Sequence, residues 1–277
     1  MENISKKKVK KICQDIGLRP RRQSGQHFLY KKEIINQIIG TSQPLINESI
    51  LEIGPGLGFL TEEILKKSKK LLAVEIDKRM AEYLKNKFQG ENKLKIIREN
   101  IFDVNLKKYF NDLNYKLISN LPYNITSLVL RNFLSEKPRP KEMILTIQKE
   151  VALRIIAKPP NMSILSVVCQ FYAQPKIIKI INPDSFWPRP KVDSAVIKFY
   201  SIGENKREVN EENFLKVVKG GFSAKRKKLT NNLKHVLGIL PNNSQKILKD
   251  LGIKKDIRAQ NLTLEDWVAL SKKLFDV

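Results

Sequence analysis

The sequence predicts an α/β protein: a largely parallel sheet covered by helices on both faces, with a small all-helical domain after it. Three observations carry this expectation. Short apolar runs alternate with helical stretches from residue 50 onward, a glycine-rich turn follows the first of those runs, and beyond residue 204 only helical patterns remain.

The first run, 50–53, leads into Gly54-Pro55-Gly56-Leu57-Gly58 and a helix over 61–67. The second, 71–76, precedes a helix over 79–88; the third occupies 94–97; the fourth, 116–119, precedes a helix over 126–134. Runs at 143–147, 175–181 and 195–200 complete the sheet, with helices over 148–157 and 163–172 between them and room for antiparallel pairing among these last strands. A polar connector over 201–212 ends the apolar pattern, so a boundary near 205 divides a domain at 1–204 from a helical one at 205–277. Helical patterns follow at 214–220, 229–237 and 264–274, and Thr263, ahead of Glu265 and Asp266, reads as the N-cap of the last.

At 277 residues the chain is long enough for one large domain and a small appendage. Its 52 Lys and Arg against 28 Asp and Glu give a net charge of +24, which favours a polyanion as partner, nucleic acid ahead of membrane. The bland alternative is a biased genome, since the chain is rich in Lys, Asn and Ile. Cys13 and Cys169 are the two cysteines, without CxxC or zinc-ligand spacing, so neither a disulfide framework nor a metal site is expected, and a reducing cytoplasm fits. No apolar run of membrane-spanning or signal-peptide length occurs, and the basic start uses Lys and includes Glu2 and Asp15, unlike an organelle presequence.

The glycine turn lets the backbone approach a ligand closely. Its spacing is G-x-G-x-G; the position where a dinucleotide fingerprint wants a further glycine is Phe59, so S-adenosylmethionine fits better than NAD. Glu75 ends the next strand, where a carboxylate accepts from ribose hydroxyls. Asn100, after the third strand, is placed for the cofactor's adenine amine, with Ile76 and Ile101 to sandwich the ring. Taken singly, each also reads as ordinary turn or strand-end chemistry.

Asn120-Leu121-Pro122-Tyr123 follows the fourth strand, at the edge where open α/β sheets bind ligands. An exocyclic adenine amine is a poor nucleophile because its lone pair is delocalised into the ring. Methylating it calls for two acceptors on its N–H bonds and a flat surface for the base. The Asn120 side-chain oxygen and the Leu121 carbonyl supply the acceptors, Pro122 fixes the backbone, and Tyr123 supplies a stacking face. Phe186, in a proline-rich loop, is the candidate for the other face of the base, with a core anchor as its alternative.

With Gly25-Gln26-His27-Phe28-Leu29, Gln148-Lys149-Glu150-Val151, Pro190-Lys191-Val192-Asp193-Ser194-Ala195-Val196, the stretch from Gly221 to Leu229 and Arg258-Ala259-Gln260-Asn261-Leu262, these residues closely resemble the KsgA/RsmA family of ribosomal RNA adenine dimethyltransferases along nearly the whole chain. The resemblance implies a Rossmann-like class I methyltransferase sheet. It further implies S-adenosylmethionine-dependent N6,N6-dimethylation of two adjacent adenines in the hairpin loop at the 3′ end of small-subunit (16S) rRNA, on a pre-ribosomal assembly intermediate. It assigns cofactor contacts to His27, Leu29, Gly54, Gly56, Glu75 and Asn100, the reacting amine to Asn120, and the base clamp to Tyr123 and Phe186. The family commonly has Asn at position 27 and Asp at position 100, so His27 and Asn100 are departures.

Arg21, Arg22, Lys225, Arg226, Lys227 and Lys228 are the candidate phosphate contacts, which set register without reading bases. An Erm-type enzyme acting on one adenine of large-subunit (23S) rRNA shares the chemistry. A non-catalytic assembly or transcription factor keeps the fold without the reaction, and a dehydrogenase is a distant further reading. A monomer is the default expectation.

Overall fold

The computed structural model describes residues 4–20, 25–42, 45–110, 114–204 and 209–275. Among them the order is α1 (Lys6–Asp15), β1 (Phe28–Leu29), α2 (Lys32–Gly40), β2 (Ser49–Ile53), α3 (Phe59–Leu65), β3 (Lys70–Glu75), α4 (Lys78–Lys87), β4 (Leu94–Arg98), β5 (Tyr115–Asn120), α5 (Thr126–Ser135) and β6 (Glu142–Gln148). It continues through α6 (Lys149–Ile155), α7 (Ile164–Tyr172), β7 (Gln174–Ile181), β8 (Phe186–Trp187), β9 (Ser194–Tyr200), α8 (Glu211–Gly221), α9 (Leu229–Leu237), α10 (Pro241–Asp250) and α11 (Leu264–Phe275). Every strand and helix read from the apolar pattern is present to within a few residues; α1, α2, α10, β1 and β8 are additions to it.

The main sheet has the order β4-β3-β2-β5-β6-β9-β7, while β1 and β8 form a separate antiparallel pair. The β2/β3, β3/β4, β2/β5 and β5/β6 pairs are parallel and β6/β9 is antiparallel. From β2 to β5 the inner strands are buried along most of their length instead of alternating, because helices cover both faces. The edge strand β7 alternates between exposed and half-buried positions along seven of its eight residues.

The chain runs outward from β2 through β3 to β4, then returns to lay β5 on the other side of β2. That reversal is the place where an open α/β sheet leaves a crevice beyond its carboxyl edge. Here β2 and β5 pair from Ser49↔Tyr115 to Leu51↔Leu117 and then part. The Ser119 hydroxyl donates to the Ile53 carbonyl at 2.5 Å, occupying an acceptor that the lost ladder would leave unpaired.

Two compact units result: Met1–Ala152 with Pro175–Ile202, and Leu153–Gln174 with Gly203–Val277. The helical unit thus begins beside the expected boundary but also claims 153–174, which the apolar pattern places in the first domain. The reason is aromatic packing. Phe171 stacks on Phe214 with centroids 3.9 Å apart, and Gly203 N–H donates to the Tyr172 carbonyl. In the same unit Thr263 caps α11 as expected: its hydroxyl accepts from Asp266 N–H at 3.0 Å while the Asp266 carboxylate accepts from Thr263 N–H at 2.8 Å.

Gly221 ends α8 against the fully buried Trp267. Replacing a helical glycine with alanine normally stabilises by about 1 kcal/mol. At this position the added Cβ would lie 2.3 Å from Trp267 Cη2, a ring with nowhere to move, so overpacking wins. Gly221→Ala is expected to lower the unfolding free energy by about 1–3 kcal/mol in urea titrations; a gain in stability would refute this packing.

Candidate functional site

One cleft beyond the carboxyl edge of the sheet is lined by Gly25 to Leu29, the turn after β2, the ends of β3 and β5, and 99–102 after β4. It brings together His27, Leu29, Gly54, Gly56, Glu75, Ile76, Asn100, Ile101, Asn120 and Pro122, all read from the sequence as site residues.

Its floor is the glycine turn. Gly54, Gly56 and Gly58 all have positive φ, 64°, 60° and 75°, and the last forms the left-handed N-cap of α3. The turn is tied to β3: Gly56 N–H donates to Glu75 Oε2 at 3.1 Å, and Glu75 Oε1 accepts from Asp77 N–H at 2.9 Å. Acceptor capacity remains on the Glu75 carboxylate for a ribose hydroxyl. Burial pushes its pKa up, offset in part by these N–H bonds.

Beyond Glu75, Ile76 is 68% exposed although it lines the cleft, which leaves an apolar side chain open for a flat ring to cover. Across the cleft, Ile101 is buried. Asn100 Oδ1 accepts from Phe102 N–H at 3.3 Å and so caps the 3₁₀ turn Ile101–Asp103. One lone pair on that oxygen is left for an adenine amine. Bare turn, buried carboxylate and exposed isoleucine together suit an adenosine bearing a short polar chain.

Asn120 closes β5. Its Nδ2 donates to the His27 carbonyl at 3.1 Å. A carbonyl only accepts, so this bond fixes which end of the amide is nitrogen and leaves Oδ1 as the free acceptor. The His27 ring is held in turn: Nδ1 lies 2.6 Å from the Pro188 carbonyl, so Nδ1 carries a proton and Nε2 is left as the second polar atom. Leu121 has a buried side chain and its N–H donates to the Thr146 carbonyl, consistent with a role for its main chain alone. The Tyr123 ring sits 5.4 Å from the His27 ring, tilted by 33°. Its hydroxyl bonds Ser194 Oγ, and burial pushes the phenol pKa up.

Phe186, like Tyr123, is not among the residues lining the cleft. It pairs with Leu29 in the β1/β8 ladder and is 2% exposed, inside the core with Leu29, Ile118 and Val196. Its ring occupies the place of a core anchor, the alternative read from the sequence, rather than that of a clamp on the base. A proline-rich loop reads as exposed in sequence, whereas two rungs of backbone pairing turn this ring inward.

Sequence reasoning passed over Glu52. It is 1% exposed, lines the cleft, accepts from the Thr61 hydroxyl at 2.7 Å and has a pKa raised to about 8, chiefly by burial. The available signal was an acid inside an otherwise apolar strand. Gln26 and Asn124 also line the cleft unannounced.

Lys225, Arg226, Lys227 and Lys228 are exposed on the turn between α8 and α9 in the helical unit. The buried Asn232 amide donates to the Gly221 and Ala224 carbonyls, at 2.6 and 3.0 Å, and pins the start of that turn. Arg21 and Arg22 lie outside the described residues. Among the described residues no helix is long and apolar enough to cross a membrane.

Known proteins place this geometry. A model described as ribosomal RNA adenine dimethylase matches residues 17–276. The chain is 36% identical to a "Ribosomal RNA small subunit methyltransferase A" of Dehalococcoides mccartyi, over 95% of this chain and 91% of that protein. It is 36% identical to the Fusobacterium nucleatum protein of the same name, over 91% and 96%. Among solved structures, a dimethyladenosine transferase from Plasmodium falciparum superposes with a TM-score of 0.74 at 26% identity, covering 86% of this chain and 94% of that one. The 23S rRNA methyltransferase ErmE superposes at 0.71 with 21% identity, over 89% and 99%, a likeness of fold alone. With a family match spanning nearly every described residue and named relatives 36% identical over most of their length, this chain belongs to the ribosomal RNA adenine dimethylase family.

Proposed function

We propose that this protein dimethylates N6 of two adjacent adenines in the 3′-terminal hairpin loop of 16S rRNA, acting as a cytoplasmic monomer on a small-subunit assembly intermediate. The observation that carries the reading is the Asn120 amide. It is oriented by the His27 carbonyl so that its oxygen is the free end, in the same cleft as Glu75 and the glycine turn. The names of the bacterial relatives support the small subunit over the large one.

S-adenosylmethionine supplies an electrophilic methyl group on sulfur. In the cleft these residues line, Glu75 would hold the ribose, Asn100 the adenine amine, Ile76 and Ile101 would cover the ring, and the glycine turn would admit the chain bearing the sulfur. Asn120 Oδ1 and the Leu121 carbonyl accept from the target amine, which turns its lone pair toward the methyl group. Tyr123 stacks on the unpaired base. The amine loses its proton after attack, so these acceptors need not act as strong bases. The basic turn over Lys225 to Lys228 contacts RNA phosphates, as do Arg21 and Arg22.

The test is incubation of the protein with tritiated S-adenosylmethionine and undermethylated small subunits, followed by primer extension and nucleoside mass spectrometry. Dimethyladenosine at adjacent adenines near the 16S 3′ end is expected; product only on 23S rRNA would overturn the proposal. Asn120→Ala is expected to lower kcat by about a hundredfold while calorimetric cofactor affinity stays within a few-fold.

Asn100→Asp restores a charged acceptor toward the adenine amine. It is expected to tighten S-adenosylmethionine by about fivefold, roughly 1 kcal/mol, in calorimetric titrations. No change, or weaker binding, would remove Asn100 from the adenine site.

Glu52 gives a pH dependence. Its carboxyl has a folded pKa of about 8 against an ordinary 4.5, with Glu75 adding to the rise and Lys87 and the Thr61 hydroxyl opposing it. The folded protein therefore keeps a proton that the unfolded chain releases. That contribution to stability is complete below the unfolded value and is lost as pH rises through about 8. Glu52→Gln keeps an acceptor for Thr61 and removes the titration. Its unfolding free energy is expected to fall less than the parent's between about pH 6 and 8.5, by roughly 2 kcal/mol; parallel curves would show Glu52 ionising normally.

A further inference from the structure

The Tyr123 hydroxyl lies 2.6 Å from Ser194 Oγ, and Ser194 is 0% exposed. Ser194 opens β9 opposite Gln148, the last rung of the β6/β9 ladder. The residue before it is clamped: the Asp193 carbonyl accepts from Lys149 N–H at 3.0 Å, and its carboxylate pairs with Lys149 Nζ at 3.0 Å. The serine is therefore a rigid point on the sheet, reached by the far end of a tyrosine whose own backbone sits in a 3₁₀ turn, Tyr123–Ile125, after β5.

A phenol ring turns about two side-chain bonds, and a hydrogen bond at the atom farthest from Cα restricts both. The other neighbour of the ring is His27, itself bonded to the Pro188 carbonyl. With centroids 5.4 Å apart and planes tilted by 33°, the two rings leave no room for a base between them, so a stacked base is left the side of Tyr123 away from His27. The same His27 carbonyl orients Asn120. Platform and acceptor thus share one frame, anchored at Ser194 on one side and at His27 on the other.

We propose that Ser194 is a positioning residue for methyl transfer: it fixes the Tyr123 ring so that a stacked adenine presents its amine to Asn120 Oδ1. This rests on the reading of Tyr123 as the stacking platform. Misplacing a reacting group by a fraction of an ångström slows a bimolecular transfer without weakening cofactor binding, because only the near-attack geometry is lost. The phenol remains neutral, since burial raises its pKa, and can serve as donor or acceptor to the serine.

The experiment is a double-mutant cycle on the full chain. Methyl transfer to undermethylated small subunits is measured for the parent, Ser194→Ala, Tyr123→Phe, the double variant and Tyr123→Ala, with S-adenosylmethionine affinity followed by calorimetry. Ser194→Ala and Tyr123→Phe delete the same bond from its two ends. Each is expected to lower kcat about fivefold with cofactor affinity unchanged, and the double variant is expected to be no slower than either single one. A serine that merely stabilises the fold would cost as much in the Tyr123→Phe background as in the parent, and that result overturns the proposal. So does full activity in Ser194→Ala while Tyr123→Ala is crippled. Full activity in Tyr123→Ala sinks the platform reading instead.

Discussion

The site depends on β2 and β5 parting after their third rung. The reversal of strand order places the crevice beyond the carboxyl edge, and there the β2/β5 ladder stops two residues short of Ile53. The parting of the strands leaves a main-chain acceptor behind, and Ser119 occupies it with a hydroxyl instead of an amide. The opening is thus held without an unpaired carbonyl, and the segments on either side, glycine turn and Asn120, are free to face one ligand. Gly54 opens the glycine turn with φ of +64°, a conformation other residues rarely adopt, while a Cβ there would meet the Pro122 ring at an ordinary contact distance of 3.4 Å.

Around this opening, hydrogen bonds between distant segments do the orienting. The strap carrying His27 reaches Asn120 through its carbonyl and the proline-rich loop through its ring, while β1 and β8 join the same two segments by backbone. Neither two-residue strand would be stable by itself. Their value is to hold one amide and one imidazole in a defined relation. Two acids, Glu52 and Glu75, are buried near the same floor, and burial raises the pKa of each.

What was legible in the sequence is what backbone conformation demands locally. Three glycines at positive φ, an acid ending one strand and an Asn-x-Pro after another are requirements of turn and strand-end chemistry, and Gly54, Glu75 and Asn120 all line one cleft. What was not legible depends on partners far along the chain. Phe186 faces inward because it pairs with Leu29, a contact that no local pattern reports. Glu52 hid inside an apolar run, and the amphipathic stripe of α1 reduces to Val9 and Cys13 within a row of lysines. The segment 153–174 has an unremarkable helical pattern; its membership of the helical unit follows from Phe171 meeting Phe214.

That last packing makes the helical unit discontinuous: the chain enters it after Ala152, leaves after Gln174 and returns after Ile202. A single cut after Ile202 would therefore not yield a free-standing methyltransferase domain. It would leave α7 attached to the first unit with Phe171 deprived of its stacking partner, and Tyr172 without the Gly203 N–H that its carbonyl accepts. The unit bearing the basic turn is woven into the catalytic chain by connectivity. Exchange of that unit between relatives requires trading two segments at once, 153–174 and the stretch after Ile202.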